Sequence, residues 1–207
     1  MKISYAVPVC NESVELKRLL DFLFKNKRDK DEVVIQCDKG NTTKEVYWVL
    51  EEFAHLPNIA ITEFPLKGDF ASFKNNLKNK CSGEWIFQID ADEVPHQNLI
   101  DSLPEVLQNN PYTELFLIPR INTVEGLTSN HIQEWGWRVD HNGWVNFPDY
   151  QTRIIQNSPK IAWGGKVHEV VMGHSQYGML PQEEEWSLYH HKHIKRQERQ
   201  NNYYNSL

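Results

Sequence analysis

The chain has 207 residues, with 22 Lys and Arg against 28 Asp and Glu, a formal net charge of −6 and 40% hydrophobic residues. That profile suits one globular domain and excludes nucleic-acid binding as a main task, because neutralising phosphates needs clustered cations. No run approaches the roughly 18 apolar residues of a membrane span, and the apolar stretch ending at Pro8 is too short for a signal peptide.

In chain order, residues 3–9 (ISYAVPV) read as a first strand. Asn11 and Ser13 compete as N-cap of a helix carrying Leu16, Leu19, Leu20 and Leu23. Residues 32–37 (EVVIQC) make a second strand, followed by the polar turn Asp38-Lys39-Gly40-Asn41 and a helix through Val46, Val49 and Phe53. Residues 58–63 are a third strand. The spacing of Phe70, Phe73, Leu77 and Cys81 predicts a helix over 70–81, with Gly83 placed to end it. Residues 84–89 (EWIFQI) are a fourth strand running into Asp90-Ala91-Asp92-Glu93. Strands alternating with helices indicate βαβ units in a mostly parallel sheet, which binds ligands at the carboxyl ends of its strands. That edge gathers Asn11, Glu12, Asp38, Asp90 and Asp92.

The second half is less regular. A helix is expected over 97–109 and a strand over 114–121. Residues 122–167 are rich in Trp, Gly, Asn and His, with short β runs at 152–156 and 160–163 built onto the same sheet. Residues 182–207 are polar and expected to be helical in part. With no repeat or linker, one domain over 1–207 is expected: a ligand-binding half to residue 100, then a second half with a helical tail. Cys10, Cys37 and Cys81 are odd in number and form no C-x-x-C pair, so they suit a reducing cytoplasm better than a disulfide framework.

Asp90 and Asp92 share one side if the strand continues, a good site for a hard divalent cation that also binds substrate phosphates. An EF-hand loop is excluded, since its required Gly and Glu positions hold Pro95 and Asp101.

Four ordered segments resemble the family 2 glycosyltransferases of GT-A fold: Pro8-Val9-Cys10-Asn11-Glu12, Asp38-Lys39-Gly40-Asn41-Thr42-Thr43, Asp69-Phe70-Ala71-Ser72-Phe73-Lys74-Asn75-Asn76, and Ser82 through Glu93. The resemblance implies an α/β fold of GT-A type: a mostly parallel central sheet flanked by helices, with a smaller irregular β-containing half on the acceptor side. It implies that Asp38 contacts the nucleotide base, that Glu12 sits by a uridine, with Pro8 and Asn11 beside it, and that Asp90 and Ala91 meet the ribose or diphosphate. Asp92 would hold Mn²⁺ or Mg²⁺. Lys74 stands where the family often has Arg, offering a point charge rather than a bidentate fork. Thr43 departs from a usual Asp.

Phe147-Pro148-Asp149-Tyr150-Gln151-Thr152-Arg153 and Trp163 through Glu169 are similar to a bacterial lipopolysaccharide-type subgroup. On that likeness Glu169 is the first choice for general base and Asp149 the second. Arg153 meets phosphate or an acid. His168 is a third metal ligand or a diphosphate contact, or else His190 or His191 takes that place, of which His191 is preferred as the ligand. Trp135 and Trp137 would share one face of an extended run, as a platform for a sugar ring. The basic segment His190–Arg196 would cap the site or touch an anionic membrane surface.

The implied activity is metal-dependent, inverting transfer from a nucleoside diphosphate sugar, UDP first, to a glycan or glycolipid hydroxyl. A nucleotidyltransferase is disfavoured, since Cys10-Asn11-Glu12 is no Gly-rich loop. A non-catalytic nucleotide-sugar or carbohydrate binding module is the remaining alternative.

Overall fold

The first strand, β1 (Ile3–Val9), sends Ile3, Tyr5, Val7 and Val9 to one face and Ala6 to the other. This two-residue period recurs in β2 (Glu32–Asp38), where Val33, Ile35 and Cys37 oppose Val34, and in β4 (Trp85–Gln88), where Trp85 and Phe87 oppose Ile86. Both faces are apolar, so both must be covered. The computed structural model describes residues 1–204, with side chains through Arg199.

One face packs on α1 (Ser13–Asn26), α2 (Lys44–Phe53) and α4 (Gln97–Asn109). In α1, Leu16, Leu19, Leu20 and Leu23 are fully buried at helical spacing, each contributing about 1.5–3 kcal/mol by leaving water. The other face packs on α3 (Phe70–Lys78) through Ala71 and Leu77.

β3 (Ile59–Phe64) completes the parallel set. Three later strands join it: β6 (Leu115–Ile118), β8 (Gln151–Gln156) and β11 (Tyr177–Met179). The order is β11-β6-β8-β4-β1-β2-β3, with β8 alone antiparallel to its neighbours. β1 lies between β2 and β4, so the chain leaves it in both directions across the sheet. Ligand crevices open at such a point, beyond the carboxyl ends of the strands.

A separate three-stranded sheet, β5 (Glu93–Pro95), β12 (Leu188–His193) and β7 (Arg120–Glu125), closes one side of that crevice. A two-stranded pair, β9 (Ala162–Gly164) and β10 (Val170–Met172), packs beside α3. The short α5 (Ser129–Trp135) precedes β8, and α6 (Ile194–Tyr204) follows β12.

Several sequence expectations change. The helix over 70–81 ends at Lys78, and Gly83 lies beyond it, where β4 approaches β1. The strand over 114–121 divides at Pro119, and its second part leaves the main sheet. Neither Asn11 nor Ser13 caps α1. The cap position is Glu12, whose carboxylate turns back to accept from the Cys10 and Asn11 N–H groups, both at 3.0 Å. Trp135 ends a helix and Trp137 follows Gly136 in left-handed conformation, so they are not neighbours on an extended run, yet their rings meet edge-on at 4.8 Å. The tail expected to be partly helical opens with a 3₁₀ turn at Glu184–Trp186 and then β12 before α6 begins. Its last residues, 205–207, lie outside the described residues.

Candidate active site

The carboxyl ends of β1, β2 and β4 open into a cavity of about 670 Å³. Pro8, Glu12, Asp38, Lys74, Asp90, Ala91, Asp92, Arg153, His168 and Glu169 all line it. Asn11 is exposed and stands outside this lining, as do Asp149 and His191.

Asp38 ends β2 as a buried carboxylate. Its Oδ1 accepts from the Leu66 N–H at 2.8 Å and its Oδ2 from Asn41 Nδ2 at 2.9 Å. Its carbonyl also accepts from the Asn41 and Thr42 N–H groups, which shapes the turn. Thr43, the cap residue of α2, donates its N–H to the Cys10 carbonyl at 3.0 Å and so ties this turn to the end of β1.

Asp90 and Asp92 do different work. Asp90 faces Arg153, which also donates to Glu93 Oε1 at 2.6 Å. Glu93 is fully buried and receives Arg120 Nη1 as well, at 2.9 Å. Burial opposes ionisation of Asp90, but the Arg153 and Lys74 charges outweigh it and hold the carboxyl below its ordinary value. Asp92 stands 3.3 Å from His190 Nε2 and receives Arg196 Nη2 at 3.2 Å. Burial pushes its carboxyl up. The His190 contact and the Arg196 and Lys192 charges win, and the group is held well below the usual carboxylate range. Arg196, from α6, also reaches Glu12 Oε1 at 3.0 Å and Glu15 at 3.3 Å.

On the opposite wall Lys74 donates to Glu169 Oε1 at 2.5 Å, and its ammonium lies 4.3 Å from the centre of the Trp163 ring. A second cavity of about 280 Å³ adjoins the first. It shares Arg120 with it and adds Asn122, Trp137, Asp149, His190 and Lys192.

Residues 4–175 match Glycosyl transferase family 2. The chain belongs to this family. It is similar to the SPbeta prophage-derived glycosyltransferase SunS of Bacillus subtilis (strain 168), 24% identical over 173 residues, which cover 84% of this chain and 35% of that one. The chain thus spans about a third of the length of the curated relatives it matches. The structure of S. aureus TarS 1-349 shares the fold with a TM-score of 0.65 at 15% identity, over 92% of this chain and 60% of that one. The same protein in complex with UDP-GlcNAc matches with a TM-score of 0.65 over 93% of this chain and 59% of that one.

Within this family 2 chain, the cation expected at Asp92 can be tested against the donors present. Asp92 offers an ionised oxygen and His190 Nε2 lies beside it, so the pair suits a divalent cation in part. Among the described residues no three His, Cys, Asp or Glu side chains cluster tightly enough to hold an ion alone. A cation here would draw its remaining ligands from substrate phosphates and water, the usual arrangement for Mg²⁺ and Mn²⁺.

The neighbouring histidines separate cleanly. Successive residues of β12 point to opposite faces, so His190 turns to Asp92 while His191 hydrogen-bonds Thr123 on the far side. Burial holds the His191 ring below its ordinary pKa. Asp149 accepts from Arg120 Nε and Nη2 and from Asn122 Nδ2 on one oxygen, and from Gln151 on the other.

Sequence reasoning did not single out Glu93, Arg120 or Asn122, and it named Arg196 only as the end of a basic segment. For Glu93 the signal was present, a third acid directly after Asp-x-Asp. For Asn122, and for the choice of His190 over His191, it appears only once residues 188–193 are read as a strand, which their His and Lys content conceals.

Proposed function

We propose that the chain catalyses transfer of a sugar from a nucleoside diphosphate donor, with UDP the first choice, to a hydroxyl on a glycan or glycolipid. The observation that carries this reading is the meeting of Asp38, the β1 carboxyl end, Asp92 and Lys74 in one cavity of a family 2 chain. The fold shared with TarS, whose structures include complexes with UDP and UDP-GlcNAc, supports uracil as the base.

In this reading Asp38 and the Pro8–Cys10 backbone receive the nucleoside. Asp90 is held ionised beside it by Arg153. Asp92 and His190 would hold a divalent cation, and the oxygen-plus-imidazole pair would favour Mn²⁺ over Mg²⁺. His168, on the opposite wall of the cavity, is left to the diphosphate. When bound, the cation supplies Lewis-acid stabilisation of charge on the diphosphate. Lys74 exchanges Glu169 for the diphosphate, which frees Glu169 as the base. The acceptor O–H proton passes to Glu169 as its oxygen bonds to the anomeric carbon. The bond to the diphosphate breaks, and its electron pair leaves with UDP. One displacement inverts the anomeric centre and needs no covalent intermediate. Asp149, with both oxygens held by three neighbours, serves as a support and not as the base.

Calorimetric titration of UDP and GDP, each with and without Mn²⁺, tests the donor site. UDP binding should need Mn²⁺ and weaken at least tenfold in Asp92→Ala (about 1.4 kcal/mol). Glu169→Gln should retain that binding and lose about 10²–10⁴-fold in turnover, the usual worth of a positioned base. Tighter GDP binding would overturn the base assignment. UDP binding without any donor consumption would make the chain a binding module.

A further inference from the structure

Four hydrogen bonds along Arg120, Asp149, Asn122 and His190 determine which nitrogen of His190 can face a cation. β7 and β12 pair in parallel with Asn122 opposite His190, so the two side chains lie on the same face of the small sheet. Asn122 Nδ2 donates to Asp149 Oδ2 at 2.8 Å, and Arg120 donates to that same oxygen at 2.9 and 2.6 Å. Burial resists ionisation of Asp149, but Arg120 and these donors hold its carboxyl below the ordinary value, so it is a pure acceptor. The Asn122 amide must therefore turn its NH₂ toward Asp149 and its oxygen toward His190. That oxygen lies 2.7 Å from His190 Nδ1 and can only accept, so Nδ1 carries the proton.

In that tautomer Nε2 is the ring nitrogen that carries the lone pair. It points at Asp92 Oδ2 from 3.3 Å. Two lone pairs at that distance repel unless a positive charge offsets them; Arg196 Nη2 stands 3.2 Å from the same oxygen, and a divalent cation would join or replace that charge.

We propose that Asn122, locked by Asp149 and Arg120, is a positioning residue that fixes His190 in the Nδ1–H tautomer and so presents the Nε2 lone pair, together with Asp92, to a divalent cation. The inference rests on the donor reading above and assigns Asp149 and Asn122 a role within it. A ring held in one tautomer and one orientation binds a metal more tightly than one that must reorganise, and losing such support typically costs about 10–100-fold in affinity.

Long-range ¹H–¹⁵N correlation on the histidine-labelled 207-residue chain, at a pH where the ring is neutral, reads the tautomer directly. The His190 signal is assigned by its loss in His190→Gln. The wild type should show the proton on Nδ1. Asn122→Leu should show a mixture of tautomers and a roughly 10–100-fold weaker Mn²⁺ affinity in the presence of UDP. Asp149→Asn, which keeps the shape but lets the Asn122 amide turn over, should give a smaller change in the same direction, and it carries the test if Asn122→Leu does not fold. A wild-type proton on Nε2, or a tautomer unmoved by both substitutions, overturns the proposal. So does failure of Mn²⁺ to broaden the His190 ring signals. Broadening by Mn²⁺ with no binding of UDP would overturn the donor reading and leave this one standing.

Discussion

Carboxylates in this chain take their roles from their neighbours. Glu32 accepts from Lys2 Nζ at 2.7 Å, from Ser4 Oγ at 2.6 Å and from the Ser82 N–H at 2.6 Å, joining the starts of β1 and β2 to the approach to β4. Burial works against its charge, but these donors bring its pKa down to about 2. The folded value lies below the unfolded one, near 4.3, so Glu32 contributes its full stability above that pH and loses it as pH falls toward about 2. Urea unfolding across that window should therefore show a shallower loss of stability in Glu32→Gln, by up to about 1.4 kcal/mol per pH unit. Glu93, fully buried between Arg120 and Arg153, has a different vulnerability. Glu93→Gln leaves one buried guanidinium, Arg153, and one half-buried, Arg120, short of a counter-charge. It should cost about 3 kcal/mol, read as a Tm fall of roughly 6–12 °C by calorimetry. Asp38, Asp90 and Asp92 were legible as a group from their positions after strands. Their division of labour was not, because Arg153, His190 and Arg196 lie some 60 to 100 residues further on in the chain.

Among the elements, those with clear periodicity read well and those shaped by distant partners did not. β1, β2, α1 and α4 fall within a residue or so of their apolar patterns. α3 did not, because Cys81 continues its apolar spacing after the helix has ended. Gly83 reads as a helix stop, but its necessity lies in packing. A Cβ there would stand 2.7 Å from the Ser4 nitrogen and 2.9 Å from the Lys2 carbonyl. Both are backbone atoms of the strand beside it or its approach, and neither can swing aside. Gly83→Ala should cost about 1–3 kcal/mol in chemical denaturation, with an unchanged helical signal in circular dichroism. A melted α3 would instead restore the helix-stop reading. β12 was hidden for the opposite reason. Its sequence, LYHHKH, lacks an apolar alternation because one face turns to a charged cavity instead of a core.

For the whole molecule, the cavity is built from two separate units. The seven-stranded sheet supplies Asp38, the turn from β4 into β5 supplies Asp90 and Asp92, and the three-stranded sheet and α6 supply His190, Arg120 and Arg196. A ligand that engages both should stabilise the whole chain by mass action. At UDP and Mn²⁺ about 100-fold over their dissociation constants, the gain is about 2.7 kcal/mol, or a Tm rise of roughly 5–10 °C. The rise should fall by at least half in Asp92→Ala, and a rise from Mn²⁺ alone of equal size would argue against a joint site. Among the described residues no helix is long and apolar enough to cross a membrane.

Sequence alone determined the βαβ order, the apolar faces of the parallel sheet and the row of acids at its carboxyl edge. Those are local facts: strand and helix periods are set by residues within a few positions of one another, and the parallel connection then dictates which ends lie together. Tertiary structure decided which acid meets which cation, which of two adjacent histidines turns inward and whether a tail residue reaches the cavity. Those depend on strand pairings between segments far apart in the chain, and a one-residue change of register in β12 would exchange His190 for His191 at Asp92.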